Sequence, residues 1–145
     1  MTEATLTSDL REVLLAGLPG SVFFKHHDGS TSGVPDFTLT WRRITSWGEV
    51  KFYDDRDFDC PELQNITCRK LATAGLCYYL IYERRKGVDR TLIVAPKDME
   101  RWREAKDVTM GFNHHWVMRR IAYLHYNLLT SPDSSSIILP TARRP

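Results

Sequence analysis

The stretch Gly33–Tyr53, GVPDFTLTWRRITSWGEVKFY, decides the fold. Two of its segments, DFTLTW and SWGEVKFY, are rich in β-branched and aromatic residues, which predicts two strands. The RRIT between them predicts a hairpin connection. Strand interiors usually avoid Asp and Glu. Asp36 and Glu49 nevertheless lie in these segments, and Lys51 follows Glu49 closely. The three charged residues therefore need a chemical explanation.

The alternation of side chains along a strand brings these charges together. Glu49 and Lys51 lie on one face of their strand, about 7 Å apart at two residue rises. A hairpin brings Asp36, at the far end of the preceding strand, alongside the far end of the second strand. We therefore expect Asp36, Glu49 and Lys51 to converge at one edge of a sheet.

This combination of groups is suited to the hydrolysis of a phosphodiester bond. Two neighbouring carboxylates raise each other's pKa, and a divalent cation removes that conflict. Mg²⁺ binds to one or two carboxylates and keeps waters and substrate phosphate oxygens as its other ligands. The cation lowers the pKa of a bound water and neutralises charge on the phosphoryl oxygens. A lysine can orient or deprotonate that water, or hold the phosphate.

The motif Gly33-Val34-Pro35-Asp36 followed by Glu49-Val50-Lys51 resembles the PD-(D/E)XK nuclease superfamily, in the branch of Holliday-junction resolvases and virus-type replication-repair (VRR-NUC) nucleases. This resemblance implies an α/β fold, with a restriction-endonuclease-like mixed β-sheet flanked by helices. It also implies a Mg²⁺-dependent endonuclease, with Mn²⁺ as a substitute, that acts on DNA in replication, repair or recombination. The resemblance covers residues from about 8 to 96 in the order of elements and not the C-terminal part.

The resemblance also implies a role for each motif residue. Asp36, Glu49 and the backbone carbonyl of Val50 would bind the metal, and Lys51 would be catalytic. Structural alternatives exist for all of them when they are taken singly. Asp36 could cap a turn after proline, and Glu49 with Lys51 could form an exposed salt bridge that contributes little. The combination of the three favours the site.

Two further residues follow from the resemblance. A glutamine on the helix after the motif is frequent in that branch, and Gln64 stands 13 residues after Lys51. A glutamate on the first helix often faces the metals, and Glu12 is the candidate. Gln64 could equally be an ordinary surface residue, and a capping box formed with Asp9 would also explain Glu12.

Lys25 and His27 are candidate contacts to a substrate phosphate. They lie just before the turn-rich segment HHDGSTSG. Adjacent histidines on a strand point to opposite faces, so either His26 or His27 could contact a substrate phosphate, but both cannot serve one site. Proximity to a turn is the alternative explanation for these residues.

The remaining pattern predicts one domain over residues 1–130 and a loose tail over 131–145. Helices are predicted at 6–18, 60–75, 96–105 and 113–129, and further strands at 21–25, 76–83 and 90–96. Because a helix precedes the strand at 76–83, that strand should run parallel to a neighbour.

Charge and cysteine content narrow the class of protein. Residues 73–145 carry 12 basic and 7 acidic side chains, which fits either a phosphate partner or a solvated surface. The three cysteines are odd in number and lack CxxC spacing, which argues against a disulfide framework and a closed zinc site.

No apolar run reaches transmembrane length, and the N-terminus lacks a basic region and a cleavage site. We expect a cytoplasmic protein without a membrane partner.

The sequence thus predicts a Mg²⁺-dependent, structure-selective DNA nuclease. A non-catalytic nucleic-acid-binding module and a partner-dependent nuclease subunit are the alternatives. A homodimer is a further prediction, because paired cuts on two strands need two active sites. Its candidate surfaces are the tail at 137–139 and the apolar side of the last helix, with Trp116, Ile121 and Leu124.

Overall fold

One six-stranded mixed sheet organises the chain. The computed structural model describes residues 1–26 and 33–130. The elements in chain order are α1 (Glu3–Gly17), β1 (Val22–Lys25), β2 (Phe37–Trp41), β3 (Ile44–Asp54), α2 (Glu62–Ala74), β4 (Leu76–Arg85), β5 (Val88–Val94), a 3₁₀ segment (Pro96–Glu104), β6 (Val108–Met110) and α3 (His114–Thr130). The strand order is β1-β2-β3-β4-β5-β6. This arrangement confirms the predicted α/β fold class. His27 and the predicted tail at 131–145 lie outside the described residues.

The β3–β4 pair is parallel, and the other pairs of described strands are antiparallel. The parallel pairing follows from α2, which carries the chain back to the starting edge of β3 before β4 begins. The strand β4 is apolar over most of its length and is buried on both faces, as strands next to a parallel crossover usually are. The predicted parallel orientation of β4 is confirmed.

Helices cover the two faces of the sheet unequally. One face packs against α1 and α3, and the core there includes Leu10, Leu14, Leu39, Val50 and Ile121. The other face packs against α2 and the 3₁₀ segment, with Cys68, Cys77, Tyr79, Leu92 and Trp102 in its core. The three cysteines are free thiols. The described part of the chain contains no helix that is both long and apolar enough to cross a membrane.

A buried polar network attaches α3 to the sheet. The Ser46 hydroxyl lies 2.7 Å from the Tyr78 hydroxyl and 2.8 Å from His125 Nε2. His125 Nδ1 lies 3.3 Å from the carbonyl oxygen of Trp41. Burial lowers the pKa of His125, which favours the neutral form of its ring.

The first helix begins earlier than predicted. Thr2 caps α1, because its hydroxyl accepts from the Thr5 N–H at 3.2 Å while the Thr2 N–H donates to the Thr5 hydroxyl at 2.9 Å. The predicted capping box of Asp9 and Glu12 is wrong, since both residues lie inside the helix. The apolar periodicity begins only at Leu6, so it does not reveal the preceding polar turn.

The β2–β3 connection is also tighter than predicted. It consists of Arg42 and Arg43 alone, and Ile44 and Thr45 already belong to β3. Both arginines have positive φ, 52° and 67°. The three-residue strand β6 was not predicted, because so short a segment carries little periodic signal.

Candidate active site

The two acidic residues of the motif meet where β2 begins. Phe37 pairs with Gly48, so Asp36, one residue before β2, lies opposite Glu49. The backbone N–H of Asp36 donates to Glu49 Oε1 at 2.9 Å. The backbone N–H of Val50 donates to Asp36 Oδ2 at 2.8 Å. The Glu49 carboxylate therefore accepts a hydrogen bond from the backbone of Asp36, and the Asp36 carboxylate accepts one from the residue that follows Glu49.

Lys51 completes this group. Its Nζ lies 3.3 Å from Glu49 Oε2 and donates to the carbonyl oxygen of Asp59 at 2.5 Å. Glu49 is only 3 % exposed and Lys51 only 5 %. An exposed surface salt bridge is thus excluded as the explanation of this pair. Buried charges persist only when they are paired or ligated.

Burial and mutual repulsion change the protonation of the carboxylates. Burial, followed by the negative charge of Asp36, raises the pKa of Glu49 from its ordinary 4.5 to about 8. Burial also raises the pKa of Asp36. Without a cation, the pair therefore retains a proton at neutral pH. A divalent cation would displace that proton and remove the repulsion.

The backbone of Val50 is turned toward the same spot. In a β-strand, the N–H and C=O of one residue point to the same side. Because the Val50 N–H reaches Asp36, its carbonyl also faces the side on which β2 has not yet begun. That carbonyl is suitably directed to be an additional oxygen ligand beside the two carboxylates.

Glu3 is a third carboxylate near the site, and it was not among the residues predicted from the sequence. Its Oε2 accepts from the backbone N–H of Phe52 at 3.0 Å. Burial raises the pKa of Glu3, and the nearby charges of Lys51 and Asp36 also act on it. Recognising the Thr2–Thr5 cap would have placed Glu3 in the first turn of α1 and so identified it as a candidate.

Glu12, the predicted acidic residue of the first helix, lies elsewhere. It is exposed on α1 and lines a shallow cavity with His115 and Met118 of α3. The structure does not bring Glu12 together with Asp36 and Glu49. The helix was predicted to begin at Leu6, whereas α1 begins at Glu3. For this reason Glu12, and not Glu3, was predicted as the acidic residue of the first helix that faces the site.

Gln64 lies on α2, next to the chain segment that leads into the motif. A Cβ on Gly33, three residues before Asp36, would lie 3.4 Å from the Cα of Gln64. Gly33 has a φ of 93°, so glycine suits both its conformation and this close approach. The Gln64 Oε1 atom is buried and has no hydrogen-bond partner within the described residues. A buried oxygen of this kind is one that an ordered water would satisfy.

His26, rather than Lys25, has its side chain on the face of the site. The His26 ring stacks on Trp47 with 5.4 Å between the centroids, and its Nε2 is buried without a partner among the described residues. Lys25 is exposed and pairs with Phe37, and its positive charge only opposes the rise in the pKa of Asp36 that burial causes. The alternation of side chains along a strand could not by itself decide which histidine faces the site. The choice depends on the register between β1 and β2. His27 stays a prediction.

The donor set fits an open, oxygen-liganded cation. Among residues 1–26 and 33–130, no three His, Cys, Asp or Glu side chains form a closed metal cage. Two carboxylates and one carbonyl leave positions for water and phosphate, which is how Mg²⁺ is usually bound. Thiolate and imidazole ligands, which zinc prefers, do not take part in this donor set.

Comparisons with known proteins found matches among solved structures. No family model and no curated protein matches the chain. Among the solved structures, the chain is similar to the 1.6 Å structure of Archaeoglobus fulgidus Hjc, a Holliday junction resolvase from an archaeal hyperthermophile. The TM-score is 0.45 at 16 % sequence identity, over 71 % of this chain and 87 % of that one. A likeness at this level carries no functional weight, so function is inferred from the site itself.

Proposed function

We propose that the chain is a Mg²⁺-dependent nuclease of the PD-(D/E)XK type that hydrolyses phosphodiester bonds in DNA. The observation that carries the proposal is the buried cluster of Asp36, Glu49 and Lys51. Two carboxylates held against each other destabilise the metal-free site and would repel a phosphate. A module that only binds nucleic acid has no use for this arrangement, whereas a cation-dependent hydrolase needs it.

The residues take separate roles in this proposal. Asp36, Glu49 and the Val50 carbonyl would hold the cation, which activates a bound water and neutralises charge on the phosphoryl oxygens. Lys51, anchored between Glu49 and the Asp59 carbonyl, would orient the attacking water or assist its deprotonation. Glu3 would add negative charge on the α1 side.

Gln64 would support the site through its unpaired oxygen. That atom is buried on the α2 side, and a hydrogen bond to an ordered water would satisfy it. The burial of Glu49 and Lys51 limits access of bulk water, which strengthens the electrostatic interactions among these groups.

The proposed substrate is branched DNA, and the proposed assembly is a homodimer. Two-fold pairing would supply the two active sites that paired cuts require. The apolar side of α3, predicted as one self-association surface, is occupied instead by the protein's own core. Ile121 is fully buried, and Trp116 and Leu124 pack against the same core. The alternative surface at 137–139 lies outside the described residues.

Cleavage by the isolated chain tests the proposal. Linear duplex, single strand, flap, nick and four-way junction substrates should be offered with Mg²⁺ or Mn²⁺. We expect metal-dependent cleavage that Asp36→Asn and Glu49→Gln abolish without loss of fold. Lys51→Ala should lower turnover by ~10²–10⁴-fold, the usual range for general acid–base assistance. Full activity in either carboxylate variant would refute the proposed site.

Two further variants test the role of Glu3 in cleavage, and one solution measurement tests the proposed homodimer. Glu3→Gln should reduce cleavage more than Glu12→Gln, because the structure places Glu3 near Lys51 and Glu12 on the far part of α1. Light scattering should find a dimer, alone or on a junction. A monomer that trims linear ends as fast as it cuts junctions would eliminate the preference for branched DNA and leave a simpler repair or degradative nuclease.

A further inference from the structure

Within residues 1–26 and 33–130, no helix covers one region of the sheet beside the site. The face that α2 and the 3₁₀ segment cover at β4 and β5 continues over β1, β2 and the first half of β3. Phe24 is 63 % and Val22 46 % exposed there, and Thr45 is also exposed, whereas Thr38 between the strands is only 7 % exposed. We name this region the open face; it comprises Val22, Phe24, Thr40, Thr45 and Trp47, and Arg43 lies in the exposed turn at its far end.

Strand register shows that the open face is continuous with the active site. Thr38 pairs with Trp47 and Thr40 pairs with Thr45, and the two hydroxyls of the latter pair lie 2.7 Å apart. Because side chains alternate, Thr45, Trp47 and Glu49 share one face of β3. The open face therefore runs from the carboxylates to the β2–β3 turn.

The turn at the far end departs from the usual choice of residues. Two-residue hairpin turns with two positive φ angles strongly favour Asn and Gly, because other residues are strained there. This turn has Arg42 and Arg43 instead, both exposed. The Arg42 guanidinium lies 4.6 Å from the ring centroid of Trp41, which gives it a structural role. Within the described residues, Arg43 makes no ion pair or hydrogen bond, so its placement lacks a structural explanation.

Charge and chemistry indicate the occupant of this surface. The open face has no acidic side chain and ends at the positive charge of Arg43, whereas Lys25 and Arg42 lie toward the opposite face, beside Phe37 and Trp41. Hydroxyls and guanidinium groups are common contacts to phosphate oxygens. Exposed Phe24 and half-buried Trp47 lie between the two ends and offer apolar contact to sugars or bases.

We propose that the open face seats the nucleic-acid arm that leads away from the cut, and that Arg43 contacts a backbone phosphate of that arm. This inference rests on the proposed nuclease function. Six residue steps along β3 separate Glu49 from Arg43, about 20 Å at the usual strand rise. At 3.4 Å per base pair, the contacted phosphate lies about six base pairs from the scissile one.

Arg43→Gly and Lys86→Gly form a matched pair that tests the proposal. Both substitutions remove one exposed lysine or arginine with positive φ from a hairpin turn. Lys86 stands after β4, at the opposite end of the sheet. Glycine relieves the left-handed conformation at either position, so neither variant should melt at a lower temperature.

Binding to a long-armed four-way junction is measured without divalent cations over a range of salt concentrations. We expect Arg43→Gly to reduce the slope of log K against log salt by about 0.9, the value for one lost phosphate contact. Lys86→Gly should retain the wild-type slope. In the presence of Mg²⁺, Arg43→Gly should raise KM and leave kcat unchanged.

Neutral methylphosphonates about six base pairs from the cut should weaken wild-type binding and remove the difference between wild type and Arg43→Gly. Equal slopes of log K against log salt for the wild type and Arg43→Gly would overturn this inference. Metal-dependent cleavage would in that case still support the proposed nuclease function. An oligomeric state altered by Arg43→Gly, with binding to DNA unchanged, would overturn it in favour of a second copy of the chain on the open face. Failure of the wild type to bind or cut any substrate would instead refute the proposed function itself.

Discussion

Glu49 is buried beside a second carboxylate, so its protonation is linked to folding. Its pKa of about 8 in the folded chain exceeds the ordinary value of 4.5 that applies when the chain unfolds. Unfolding between these values releases a proton, so rising pH favours the unfolded state. The contribution of the protonated Glu49 to stability is full below about pH 4.5 and is lost as the pH rises through 8.

Thermal unfolding of the metal-free protein tests this linkage. Between pH 5 and pH 8.5, the melting temperature of the wild type should fall relative to that of Glu49→Gln, which cannot ionise. Glu12→Gln, an exposed substitution on α1, should instead follow the wild-type profile. Parallel profiles for the wild type and Glu49→Gln would show that the carboxylate pair does not hold a proton.

Single side chains differed in how far they could be predicted. Asp36, Glu49 and Lys51 were predicted correctly to converge, because strand alternation and one hairpin suffice to bring them together. Glu3 was missed, and His27 was chosen over His26, for physical reasons. The position of Glu3 depends on where α1 begins, and that of His26 depends on the register between β1 and β2. Neither feature has a strong local signal.

The ring of Phe37 on β2 lies close to the backbone of β3 at Gly48, and only glycine permits this approach. The close strand pair in turn positions the site. A Cβ on Gly48 would lie 2.3 Å from Cζ of Phe37, directly beside Glu49. The Phe37 ring is fully buried and stacks on Phe23 with 4.7 Å between the centroids. The ring has little room to move, so an added methyl group would be accommodated by backbone displacement.

Gly48→Ala should therefore be destabilising by ~1–3 kcal/mol or more, the usual range for overpacking. That corresponds to roughly 3 °C in melting temperature per kcal/mol for a chain of this size. Gly17→Ala is the matched control, because its Cβ would meet the flexible end of Met118 at 2.9 Å. Alanine also has the higher helix propensity, so this variant should melt at or above the wild-type temperature. Equal stability of Gly48→Ala and the wild type would contradict the proposed packing.

Whole elements were more predictable than their ends. The buried apolar run of β4 and the helix before it identified a parallel crossover, since few other topologies accommodate that order. The exact turn at Arg42–Arg43 was not predictable, because arginine lacks the usual preference for positive φ. A departure of this kind from local rules often marks a residue that serves function rather than folding.

In the described part of the chain, the site lies at the margin between a region of the sheet that α2 covers and a region that no helix covers. The core packs α2 against β4, and the open face extends beside the same carboxylates. A substrate could therefore reach the buried cluster along β2 and β3 without displacement of α1, α2 or α3. This arrangement is consistent with a hydrolase that acts on an extended polymer.

Calorimetric titration of the metal-free protein with Mg²⁺ tests the central claim most directly. At pH 7, we predict binding to the wild type with release of a proton, because the cation replaces the proton held by Asp36 and Glu49. The release of a proton on Mg²⁺ binding should disappear above pH 9. The variant Asp36→Asn should not bind the cation. Equal binding by the wild type and Asp36→Asn, or binding without proton release at pH 7, would contradict the account.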